Sequence, residues 1–172
     1  MIASTHLTVG AAVGILSYRF LFKSDSIFGL AGALVVGIIS HFLLDMIPHA
    51  DDEMYNPGGS HQWMTAILSV ELVLTFLAIY FCAPDSRFKN YQNFYLVAGM
   101  IGGALPDVPH VLMGSLKIDW KLLQMADKVN AFFHTSLHTN SFWHGFMPQI
   151  LIIVLSLTIL CFFKLQSFRL TP

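Results

Sequence analysis

Five apolar stretches come near the roughly 20 residues that a helix needs to cross a hydrocarbon layer about 30 Å thick. They run from about Leu7 to Phe22, Ile27 to Ile47, Trp63 to Cys82, Phe94 to Leu105 and Phe146 to Phe163. The linking segments are too short to form a separate soluble domain. With 55% hydrophobic and 11% charged residues, the chain lies far from the roughly 25% charge of a soluble domain. The expected fold is all-α, a polytopic membrane helical bundle with about five transmembrane helices in one domain over residues 1–172. Residues 114–144 form an amphipathic connection within it, because Leu116, Ile118, Trp120, Leu122, Leu123, Met125, Val129, Phe132 and Phe133 recur at threes and fours among polar residues.

Glycines mark close helix packing: Gly10 and Gly14 in the first stretch, Gly29, Gly32 and Gly37 in the second, and Gly99, Gly102 and Gly103 in the fourth. The start, MIASTH, lacks a basic n-region, so the first stretch is read as a retained anchor. Six of the nine basic residues, Arg19, Lys23, Arg87, Lys89, Lys164 and Arg169, fall on one side of a five-crossing topology. Short basic loops stay cytoplasmic, which puts the N-terminus outside and the C-terminus inside a bacterial inner membrane. Cys82 and Cys161 then sit at cytoplasmic ends and stay reduced. A formal net charge of -1, with no basic stripe, argues against a nucleic-acid partner; membrane lipids are the expected surroundings.

On that topology all eight histidines gather at the opposite, outer side. The richest stretch is SHFLLDMIPHADDE, residues 40–53. His41, Asp45 and His49 recur every fourth residue and share one face of a helix, with Cβ atoms about 6 Å apart. PDVPH adds Asp107 and His110, their directions set by Pro106 and Pro109. His6 starts the first stretch, and His134 and His138 stand four apart before the last. Imidazole and carboxylate without thiolate suit catalytic zinc, manganese or iron. The metal ligand set is therefore drawn from His6, His41, Asp45, His49, Asp107, His110, His134 and His138, with Asp51, Asp52 or Asp107 as general base or ligand-orienting carboxylate. His61 and His144 are weaker candidates. Glu71, near the middle of the third stretch, costs at least a few kcal/mol if ionised there and is a functional candidate by default; the plainer explanation is a protonated carboxyl hydrogen-bonded to a Ser or Thr of a neighbouring helix.

Thr5-His6, the His-x-x-x-Asp of His41 and Asp45, the Gly-Ala-Leu-Pro-Asp of residues 103–107 followed by His110, and the late histidine cluster together resemble the membrane-bound metal-dependent hydrolases. That is the group containing the LexA-regulated inner membrane hydrolase, and it is distantly similar to zinc-dependent phospholipases C. In that family Thr-His is followed by Pro-Asp-x-Asp-His, then His-Arg-Gly-x-Thr-His-Ser and a late His-x-x-x-Asp; here His-x-x-x-Asp precedes Pro-Asp, Val108-Pro109 replaces the second Asp, and residues 134–141 only loosely echo the Thr-His-Ser element. The resemblance implies hydrolysis of a phosphoester or lipid substrate with a divalent metal. Two other classes use the same residues differently. A metal-ion or proton-coupled transporter would take them as an entry site with Glu71 as a relay. A structural membrane protein would carry them only as interfacial polar groups.

Overall fold

The structure, a computed structural model, describes residues 3–22, 26–47, 49, 61–83, 90–133 and 142–169. All regular structure among these residues is helical. The helices are α1 (Ala3–Leu16), α2 (Ile27–Asp45), α3 (His61–Cys82), α4 (Asn90–Ala104), α5 (Val108–Leu116), α6 (Lys121–Phe133), the short α7 (Phe142–Gly145) and α8 (Met147–Arg169). A π-helical turn, Ser17–Phe22, extends α1, and a 3-10 turn, Leu105–Asp107, joins α4 to α5. Each apolar stretch is thus occupied by helix. Three helices among the described residues are long and apolar enough to cross a membrane: Ile27–Asp45, Tyr91–Gly114 and Trp143–Gln166; Ser69–Cys82 is a shorter apolar helix.

Polarity is turned inside out relative to a soluble bundle. Ser4, Thr5, His6, Thr8, Ser40, His41, Asp45 and Gln149 are buried, while Phe28, Val35, Leu43, Leu74, Phe76, Tyr80, Leu151 and Phe162 lie at the surface. An apolar exterior of that extent is the surface a bilayer solvates.

The fold is organised by backbone contact. α1 and α4 run antiparallel and α2 lies parallel to α4, so the start of α1 and the ends of α2 and α4 share one end of the bundle. Glycine makes the approach possible. A methyl group on Gly10 would stand 2.5 Å from the carbonyl oxygen of Gly99, and one on Gly37 would stand 2.5 Å from that same oxygen. Gly10-x-x-x-Gly14 and Gly99-x-x-x-Gly103 therefore face each other as paired small-residue stripes, with Gly37 on the other flank of α4. An apolar core of Leu7, Ala11, Ile15, Ile79, Leu96, Met100, Leu160 and Phe163 ties α3 and α8 to this trio.

PDVPH does not end its helix, contrary to the simplest reading of two prolines. The chain passes through one 3-10 turn and continues as α5, with Pro106 and Pro109 each in a first turn, where no backbone N–H is needed. α5 closes on Lys117 in the left-handed region (φ 57°), and the chain turns back there into α6. α6 lies across the end of the bundle, so the connection predicted to be amphipathic both caps it and keeps an exposed apolar stripe of Leu122, Met125, Val129 and Phe132.

Candidate metal centre

The last turn of α2 supplies His41 and Asp45, one helical turn apart on the inner face and both buried. α2 stops at Asp45 with Met46 as its cap. His49 therefore does not extend their stripe: it lies beyond the helix, buried, with its Nδ1 donating to the Ile47 carbonyl at 2.8 Å. His6 reaches the same place from α1, because the Gly103 position lets the His6 backbone approach α4 closely.

His6, His41 and Asp45 converge, with one ligand atom from each all within 4.8 Å of one another. His6 Nε2 is 3.2 Å from Asp45 Oδ1, and His41 Nε2 is 3.0 Å from Asp45 Oδ2. The two imidazoles stack with centroids 4.0 Å apart and planes 26° from parallel. Asp107, half-buried at the rim, brings Oδ1 to 3.6 Å from His41 Nε2.

The protonation of His41 follows from its neighbours. Its Nδ1 lies 2.8 Å from the Gly103 carbonyl oxygen, which only accepts, so Nδ1 carries the hydrogen. In the neutral ring Nε2 is then a lone pair, yet it faces Asp45 Oδ2, Asp107 Oδ1 and Asn130 Oδ1 at 3.1 Å. Such a concentration of electron pairs in a dry place requires positive charge among them. Two imidazolium rings would repel by on the order of 4 kcal/mol at 4 Å and an effective dielectric of about 20. At most one proton on the ring pair is thus tolerated, and it serves one edge of the cluster.

A cation could supply that charge: His6, His41 and Asp45 form a buried group that could hold a metal ion, and imidazole and carboxylate are the ligand types that zinc and related divalent ions take. The Gly103 carbonyl on His41 Nδ1 is the outer partner that metal-binding imidazoles usually carry.

Asn130 is the residue that sequence reasoning missed. It is buried at the inner face of α6; its Nδ2 donates to Asp107 Oδ1 at 3.0 Å, which aims its own Oδ1 at His41. Phe133, on the same helix, packs on Phe42 with centroids 4.6 Å apart. α6 therefore covers the centre. The signal available in the sequence was an uncharged amide on a helix whose apolar stripe points elsewhere.

The remaining expected residues lie apart or outside. His110 is exposed and faces Asp127 of α6 at 3.3 Å rather than joining His41. The proline after Asp107 restarts the helix, and the turn carries His110 outward. His144 is exposed on α7. Asp51, Asp52, His134 and His138 lie outside the described residues.

Glu71 meets a Ser of a neighbouring helix, as expected, but through its backbone. Its Oε1 accepts the backbone N–H of Ser4 at 2.9 Å, not a hydroxyl. Ser4 belongs to the first turn of α1, whose N–H groups have no helical acceptor, so the carboxylate both satisfies a donor and meets the positive end of the helix. Glu71 is ten residues into α3, about 15 Å along it. α1 consequently begins level with the middle of α3, and the His–Asp cluster is recessed in the bundle. No family model, curated protein or solved structure matches the chain.

Proposed function

We propose that this chain is a multi-pass membrane hydrolase that works with a divalent metal ion, zinc in the first instance, on a phosphoester or lipid substrate. The observation that carries the reading is the buried convergence of His6, His41 and Asp45, with one ligand atom from each within 4.8 Å of the others. A bound divalent ion supplies Lewis acidity, polarising a scissile oxygen and acidifying water. The chain's own residues do the rest. His6 and His41 donate nitrogen lone pairs, Asp45 contributes the neutralising carboxylate, and the Gly103 carbonyl fixes the His41 tautomer. Asp107 is the general base: its carboxylate sits at the rim, 3.6 Å from His41 and held by the Asn130 amide, where it can take a proton from attacking water. α6 limits solvent entry. The proposed setting is a bacterial inner membrane crossed about five times, with the N-terminus and the site outside and the basic C-terminal end inside.

A transporter would need Glu71 as a relay, but that carboxylate is engaged at the start of α1, which favours the hydrolase reading. The test is hydrolysis, by the purified protein supplied with zinc, of phospholipid vesicles and of a soluble phosphodiester reporter. Turnover that disappears in Asp107→Asn while metal content is retained is the expected result. Absence of hydrolysis with either substrate and with zinc, manganese and iron alike would overturn the proposal.

A further inference from the structure

A groove of about 920 Å³ lies between α3 and α4, with Phe76 and Tyr80 on one wall and Val97 and Met100 on the other. The described lining is apolar apart from one end. Leu7 and Ala104 mark the inner end, next in sequence to His6 and Gly103; Asn93 and Lys164 mark the outer end. Lys164 is the charged residue of the described lining, and its ammonium donates to the Phe81 carbonyl, which holds it at the rim. From Asn93 to Ala104 the groove follows eleven residues of α4, about 16 Å.

We infer that the groove is a binding site for a membrane lipid with an anionic headgroup, one acyl chain lying between α3 and α4 and the headgroup at Lys164 and Asn93. Two observations converge on that occupant. The groove opens laterally among side chains already at the apolar surface, including Phe76, Tyr80 and Val97. The polarity is that of one lipid leaflet, apolar inward with a cation at the end, and a cation near the surface favours anionic lipid. The inference does not rest on hydrolysis: the headgroup end lies at the far end of the groove from His6.

The test uses the full chain purified in detergent and titrated with phosphatidylglycerol and phosphatidylcholine of matched chains, reading the thermal midpoint, since a ligand of the folded state raises it. Phosphatidylglycerol is expected to bind about fivefold more tightly than phosphatidylcholine, with Lys164→Gln abolishing that preference and Met100→Trp weakening both lipids. A second measurement needs no variant: phosphatidylglycerol carrying a diazirine in its chain should cross-link to α3 and α4 residues of the groove. Equal binding of the two lipids by the unaltered protein would overturn the inference, as would cross-links that map elsewhere or a second copy of the chain occupying the groove.

Discussion

α1, α2 and α4 meet through glycine, whereas α3 faces α4 with Phe76, Leu77 and Tyr80. Both faces are built from apolar helices, yet the first closes to backbone contact and the second leaves a groove of about 920 Å³. In a bilayer the lipid is as apolar as the side chains, so association is driven by close packing and by polar contacts. Side-chain size therefore decides which helix pair becomes a rigid frame and which becomes a slot. The frame holds the His–Asp centre; the slot does not need its precision.

Substitutions can break that contrast in order of effect. Gly99→Val should be the most damaging, because its side chain would collide with the Gly10 backbone on one side and crowd Gly14 on the other. A loss of at least about 3 kcal/mol, the upper end of overpacking costs, is expected in reversible unfolding in detergent. The control is Gly114→Ala, where no described residue lies within 4 Å and the unfolding free energy should change by no more than about 1 kcal/mol, in the stabilising direction. Equal effects at the two positions would refute the backbone-contact frame.

Glu71→Leu comes next. It leaves the Ser4 N–H without its acceptor and removes the charge at the α1 terminus, for an expected cost of about 1–3 kcal/mol. Glu71→Gln retains the accepting oxygen and should recover most of it; failure to do so would mean that the charge, not the cap, is what matters.

Asn130→Ala sharpens the comparison within the centre itself. It spares His6, His41 and Asp45 but releases Asp107, so turnover should fall by about 10–100-fold with metal content and helix content retained. Metal occupancy should also depend on acidity in a definite direction. Imidazole ligands bind as the neutral ring and have an ordinary pKa near 6.5, so protons compete with the ion and occupancy should fall as pH drops through about 6. Occupancy rising on acidification would contradict the ligand set.

The sequence made different parts of this molecule legible for different reasons. His41 and Asp45 could be paired because a helical turn is a local rule, and that rule ended where α2 ended, which is why His49 fell outside it. His6 and Asp107 were reachable through topology, since alternating helices bring the ends of α1, α2 and α4 together. The glycine stripes were visible as well, although which stripe met which was not. Asn130 escaped because its contacts lie 89 and 23 residues away and its helix reads as a surface segment. Glu71 stood out as an anomaly, but a carboxylate that caps another helix through a backbone N–H leaves no side-chain pattern to find.

The central claim is that the recessed cluster holds a metal ion, and metal analysis of the protein tests it directly. Protein purified without chelators and exchanged against zinc should carry one divalent ion per chain, and His41→Ala and Asp45→Ala should each lose it while remaining helical. A parent protein that retains no stoichiometric ion, or an Asp45→Ala variant that retains it undiminished, would contradict the account.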